Sequence, residues 1–208
     1  MAETIAALQA RGTRAICYFS AGSDEDFLPD HASFPAATIG EVLQGFDGER
    51  WLDIRVPGVL TVLQGRLDMA VAKGCDGVEP DNVDGHDNET GFALSAADLL
   101  IFNQSLAQEA RARGLAIGLK NALDLIPELV DEFDFAVNEE CHDNDECEAL
   151  LPFIAAGKPV LNAEYSDTAA LAQARVDTVC PASSALGLQT LILPLDLDDS
   201  FRVPCGDN

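Results

Sequence analysis

Apolar positions along this chain switch repeatedly between two periods. Leu60, Leu63, Leu67, Ala70 and Val71 recur at three- and four-residue spacing, which predicts an amphipathic helix. Leu99, Phe102, Leu106 and Ala110 repeat that stripe behind Ser95 and Asp98, a pair with capping-box spacing. A further helix is predicted over 143–156, with Leu150, Phe153 and Ile154 facing inward, and another is capped by Ser166 or Asp167. Short apolar runs between these stretches predict strands near 15–20, 50–55, 75–80, 115–120, 133–138, 159–164 and 189–193.

One join recurs. A helical stretch ends in glycine and an apolar strand follows at once: Gly12 before Ile16, Gly74 before Cys75, Gly114 before Leu115 and Gly157 before Pro159. Glycine accepts the left-handed conformation that closes a helix. Repeated helix–glycine–strand joins predict αβ units and a parallel sheet, an α/β fold of the (β/α)8 TIM-barrel kind. The polar residues gather at strand ends. Tyr18 and Ser20 are followed by Asp53 with Arg55, then Glu79 with Asp81 and Asn82, Lys120 with Asn121, Asn138 with Glu139, and Glu164 with Tyr165. Strand ends are where loops become wet in any protein. Polar pairs on successive units, however, are the pattern of a barrel active face.

The length of 208 residues suits one domain, here taken as 1–208, yet it is short for a barrel of about 250 residues. Acidic residues number 36 against 12 basic, a net charge of −24. Such a chain lacks the basic footprint of a nucleic-acid binder. An acidic surface suits a cationic ligand, and it equally serves as a solvation device. No apolar run reaches the roughly 20 residues of a membrane span, so no membrane partner is expected. The first ten residues do not read as a signal peptide.

The six cysteines contain no CxxC pair. Cys141 and Cys147 are near neighbours in a polar loop and suit a local disulfide, and Cys180 with Cys205 is placed to pin the C-terminal region. Cys17 and Cys75 lie in apolar runs and read as buried thiols. His31, His86 and His142 fall in loops, and Asp84, His86, Asp87, Asn88 and Glu89 form an oxygen-rich stretch that does not match a calcium loop. No metal and no cofactor are expected.

Breaking a glycosidic bond takes two carboxyl groups, one to protonate the leaving oxygen and one to attack the sugar carbon or activate water. Glu79 and Asp81 lie two apart and so point to one face, with Asp81 nearer the strand end, where Pro80 is expected to stop the strand. Glu139 ends another strand. By spacing alone the pairing is weak, because an acidic chain offers many such pairs.

The motifs add specificity. In order, they are residues 16–22 (Ile16, Cys17, Tyr18, Phe19, Ser20, Ala21, Gly22), 48–55 around Trp51 and Asp53, 74–85 around Glu79, Pro80, Asp81 and Asn82, and 118–121 with Lys120 and Asn121. They continue with 135–139 followed by Cys141 and Cys147, 157–160, and 163–165 with Glu164 and Tyr165. With these motifs the chain resembles the endo-α-1,4-polygalactosaminidase family, glycoside hydrolase family 114, over about residues 15–166. The resemblance implies a (β/α)8 fold, retention at the sugar carbon, and a cationic galactosamine-containing polysaccharide as substrate. It places the catalytic carboxylates on Asp81 and Glu139. By analogy with other retaining barrels, Asp81 is assigned as nucleophile and Glu139 as acid/base. Retention needs the two carboxyl groups about 5–5.5 Å apart. Tyr18, Asp53, Asn82, Lys120, Asn121, Asn138 and Glu164 are candidates for substrate binding, with Asp53 and Glu164 set for the ammonium group or, equally, for salt bridges.

Family members open with a strand that precedes the segment at 5–11, so this chain is expected to lack the first barrel strand and to show seven. A truncated start, a strand supplied by the C-terminal tail, or a degenerate barrel that only binds polycationic glycan would each account for this. A truncated start would also remove a secretion signal, so an extracellular, monomeric protein is expected.

Overall fold

A computed structural model describes residues 2–206. The chain forms two compact units, the first ending at Phe133 and the second starting at Asp134.

The first unit holds helix α1 (Ala2–Gln9), strands β1 (Ile16–Ser20), β2 (Ser23–Glu25), β3 (Ile39–Leu43) and β4 (Phe46–Leu52), helix α2 (Pro57–Lys73), strand β5 (Gly77–Asp81), helix α3 (Ala96–Ala112), strand β6 (Ala116–Lys120) and helix α4 (Ile126–Leu129). β1, β5 and β6 run parallel, with Tyr18 beside Glu79 and Ser20 beside Asp81. α2 covers them with Val59, Leu63, Leu67 and Ala70, all buried. Each fully buried leucine here contributes about 2 kcal/mol. α3 starts at the expected capping box of Ser95 and Asp98 and buries Leu99, Phe102, Leu106 and Ala110. Its Asn103, fully buried, donates to the carbonyl of Val83 and so ties the segment after β5 to the helix.

The second unit holds β7 (Phe135–Glu139), α5 (Leu151–Ala155), β8 (Val160–Tyr165), α6 (Ala169–Leu186), β9 (Gln189–Leu193) and the short β10 (Val203–Pro204). β7, β8 and β9 are parallel, and β10 returns antiparallel on β9. Ala172, Val179 and Ile192 form the core between α6 and the sheet, with Phe201 and Cys205 against it.

The fold is α/β with parallel strands alternating with helices, as expected. Gly12, Gly74, Gly114 and Gly157 all have positive φ, so the four predicted joins are left-handed turns.

Four expectations about strands and helices need correction. The strand placed at 50–55 belongs to β4, which pairs antiparallel with β2 and β3 in a separate three-stranded sheet. Gln44 and Gly45, with φ +89° at Gly45, make the two-residue turn between β3 and β4, a hairpin signal that the apolar run at 50–54 overshadows. Pro80 does not stop β5: the strand runs on to Asp81 with Pro80 beside Phe19. The helix expected over 143–156 is confined to a 3-10 turn at 147–150 and α5, because Cys141–Cys147 closes a tight loop first. Thr168, not Ser166 or Asp167, caps α6 by accepting from the Leu171 amide.

Cys17 and Cys75 are not free thiols but a disulfide, with Cα atoms 6.0 Å apart. β1 and the entry to β5 are neighbours in space, which the 58-residue separation conceals. Cys141–Cys147 and Cys180–Cys205 are paired as expected. Among the described residues no helix is long and apolar enough to cross a membrane.

Candidate active site

Asp81 is the last residue of β5, and its carboxylate is held on both oxygens. Oδ1 accepts from the Asn82 amide at 2.8 Å, and Oδ2 accepts from the Tyr18 hydroxyl at 3.0 Å. The Lys120 ammonium lies 3.6 Å from Oδ2 and donates to Glu79 Oε1 at 3.1 Å. Lys120 is only 6% exposed, so its charge acts with little solvent screening. It also sits 5.9 Å from the centre of the Tyr18 ring.

Tyr18 is 54% exposed as a residue, yet its phenol is held well above the ordinary range. Burial around it is the largest cause, followed by the charge of Asp81 and the hydrogen bond to it. Tyr18 therefore stays a donor across the whole physiological range. Asp84, three residues past Asp81, titrates at about 6, raised first by burial and then by the charge of Asp81.

The β5 end is shaped by a close backbone approach. The amides of Ala21 and Gly22 both donate to the Asp81 carbonyl, and a Cβ on Gly22 would lie 1.7 Å from the Asn82 carbonyl oxygen. Only glycine fits there. Asn82 has φ +59° and donates its side-chain amide to Ser20 Oγ at 2.8 Å. The residues following Lys120 and Glu139 repeat this conformation: Asn121 has φ +47° and Glu140 has φ +59°. Left-handed backbone at a residue with a Cβ costs about 1 kcal/mol. Its recurrence just past three charged strand ends marks them as sites where geometry outweighs local comfort.

In the second unit Glu139 ends β7, and Oε1 accepts a hydrogen bond from the Tyr165 hydroxyl. Glu139 is beside Ala163 in the β7–β8 register. Strand alternation then puts Glu139, Ala163 and Tyr165 on one face and Asn138, Asn162 and Glu164 on the other. The chemistry at hand in each unit is thus a carboxylate at a strand end with a tyrosine hydroxyl on it.

The remaining candidates divide. Tyr18, Asp81, Lys120 and Asn82 come together at the ends of β1, β5 and β6, with Asn121 in the turn after Lys120. Asp53 lies past β4 and is gripped by Arg55 at 2.7 and 2.9 Å, which holds its carboxyl below the usual range. Asn138 is 1% exposed, on the face of β7 opposite Glu139. Glu164 is fully buried and bonded to Asn162, the His142 amide and Arg175. Asn138 and Glu164 are thus buried on the face away from Glu139. Trp51 is buried in the core.

The sequence names Tyr165 only as a strand-end residue, with no role toward Glu139, and does not point to Arg175. Tyr165 lies two residues past Ala163 on the Glu139 face, and strand alternation would have found it. Arg175 is the one basic residue of α6, a signal of a buried pairing.

Among the described residues, two groups have metal-ligand composition. In one, both cysteines, Cys141 and Cys147, are tied in their disulfide. In the other, His86 Nε2 is 2.8 Å from Asp124 Oδ2, while its Nδ1 is buried without a partner.

The profile of glycoside-hydrolase family GH114 matches residues 1–208. The crystal structure of Aspergillus fumigatus Ega3 in complex with galactosamine is 40% identical, with a TM-score of 0.90, covering 98% of this chain and 83% of that one. The glycoside hydrolase domain of PelA from Pseudomonas aeruginosa is 16% identical with a TM-score of 0.73, over 96% of this chain and 85% of that one. A chitobiase from Flavobacterium johnsoniae aligns at 14% identity and a TM-score of 0.55, over 78% and 27%. The last two share the fold alone. No curated protein matches.

Proposed function

Because this chain belongs to glycoside-hydrolase family GH114, we propose that it is a retaining endo-glycosidase that cuts α-1,4-linked galactosamine polysaccharide, with Asp81 as nucleophile and Glu139 as acid/base. The observation that carries this reading is the setting of Asp81. It is a strand-end carboxylate, oriented through both oxygens by Tyr18 and the Asn82 amide, with the Lys120 ammonium beside it. A nucleophile must be held in line with the anomeric carbon, and fixed hydrogen bonds supply that positioning.

In this mechanism an Asp81 oxygen attacks the anomeric carbon while Glu139 gives its proton to the departing glycosidic oxygen. The chain end leaves with a free hydroxyl, and the sugar is bonded to Asp81. Water then attacks the same carbon, Glu139 takes its proton, and Asp81 leaves as a carboxylate. Two inversions give retention. Tyr165, donating to Glu139 Oε1, leaves the other oxygen to carry the transferable proton.

Galactosamine as the repeating unit is supported by the 40% identity to a protein seen with galactosamine. The net charge of −24 also concentrates a polycation near the surface. Three disulfides fit an oxidising, extracellular setting.

The anomeric configuration of the first product, followed by proton NMR before mutarotation, tests the mechanism. Initial release of the α-anomer is expected; initial β-anomer would establish inversion and remove Asp81 from the nucleophile role.

A further inference from the structure

A second polar network lies on the opposite face of β7 and β8 from Glu139, and the mechanism above leaves it unused. Glu164 is at its centre, fully buried. Its Oε1 accepts from Asn162 Nδ2 and from the His142 amide, both at 3.0 Å, and its Oε2 accepts from Arg175 at 3.0 Å. Arg175 also donates to Asp143 at 2.6 Å and to the backbone carbonyl of Tyr165.

These contacts fall on the two segments that flank Glu139. The first is the turn 140–142. Glu140 is left-handed, a conformation that a glutamate does not choose unaided. Its amide is anchored to the Ala163 carbonyl at 2.8 Å, and the next anchor is the His142 amide on Glu164. The second segment is Tyr165, whose hydroxyl holds Glu139. Arg175 is the side chain that reaches both, through Glu164 and through the Tyr165 carbonyl.

We propose that Arg175 is a positioning residue for Glu139, fixing the turn after it through Glu164 and the tyrosine that holds it through the Tyr165 backbone. The proposal rests on the acid/base role given to Glu139. In this role Arg175 acts through its protein partners, Glu164, Asp143 and the Tyr165 carbonyl. Its effect on turnover comes from keeping one carboxylate in one orientation, where a displacement of about 1 Å costs on the order of 100-fold.

The test uses Arg175→Lys and the double variant Arg175→Met/Glu164→Gln, which leaves no buried charge without its partner. On galactosaminan the double variant is expected to lose about tenfold or more in kcat with KM little changed. The alkaline limb of its pH profile moves, and Arg175→Lys recovers part of the loss. An unchanged kcat and pH profile, or a loss matched by the unfolded fraction with an unmoved profile, overturns the proposal.

A second arm needs no substrate. The chain has two tyrosines, so in a Tyr18→Phe background the ultraviolet titration reports Tyr165 alone. Adding the double substitution is expected to move that titration to lower pH, as the hydrogen bond to Glu139 loosens. An unmoved titration overturns the link. If the unsubstituted chain hydrolyses nothing, the reading of Glu139 as acid/base fails, while this titration still decides whether Arg175 positions Tyr165.

Discussion

Tyr18 donates its hydroxyl to Oδ2 of Asp81 across 3.0 Å. The bond joins β1 to β5 at the strand ends and runs two residues off register, since Tyr18 is paired with Glu79 and Asp81 with Ser20.

Removing that donor tests its role. Tyr18→Phe keeps the ring over Lys120 and deletes one hydrogen bond to a carboxylate. Such a bond is worth about 1.5–3 kcal/mol. A fall of roughly 10–100-fold in kcat/KM is expected, with the thermal midpoint little changed. Steady-state kinetics on soluble galactosaminan oligomers checks it. A full-rate variant would show that Tyr18 only lines the site.

The response of stability to pH follows from the direction of two shifts. Asp84 titrates at about 6 in the folded chain against an ordinary 3.8. A carboxyl raised by folding contributes stability that is complete below the unfolded value and is lost as pH rises through the folded one. Asp76, lowered to about 2 by Gln9, the Ala15 amide and Arg14, acts oppositely: its contribution is lost as pH falls from about 4 toward 2. Together these two groups place a maximum in the thermal midpoint near pH 4, with a fall toward pH 6 as Asp84 ionises. In Asp84→Asn the decline above pH 5 is shallower. A calorimetric series at constant ionic strength decides this; equal slopes in both proteins would dismiss Asp84 as the cause.

The disulfides differ in the loops they close. Cys17–Cys75 spans 58 residues and Cys141–Cys147 spans 6. Loop-closure entropy assigns about 4 kcal/mol to the longer and about 2 kcal/mol to the shorter. Replacing each pair by alanine should therefore destabilise the protein more at Cys17–Cys75, as read by urea unfolding. The 141–147 pair, next to Glu139, is expected to weigh more on kcat. The reverse order in unfolding would mean that native contacts, not chain entropy, govern the difference.

The chain wrote some of this plainly. The strand-end positions of Asp81 and Glu139 were legible because each closes an apolar run, and the helix-ending glycines because each precedes a strand. What was hidden depended on distance or on facing. Cys17 and Cys75 become neighbours only when β1 and β5 pair. The segment 50–55 reads as a parallel strand because Trp51, Leu52 and Ile54 carry no mark of their partners, and β4 found β2 and β3. Glu164 sits in a strand-end motif like those of the site, yet one residue of alternation turns it to the buried face and gives the Glu139 face to Tyr165. Arg175 lies ten residues on, in a helix whose sequence does not announce what its single cation meets.

The most direct test of the central claim is the release of new reducing ends from partially de-N-acetylated α-1,4-galactosaminan by this chain and by its Asp81→Asn variant. Release by the unsubstituted chain is expected, with turnover lowered at least about 1,000-fold in the variant and binding of the polysaccharide nearly intact. Substantial hydrolysis by the variant, or none by the folded unsubstituted chain, would contradict the assignment of Asp81 as the nucleophile of a galactosaminan hydrolase.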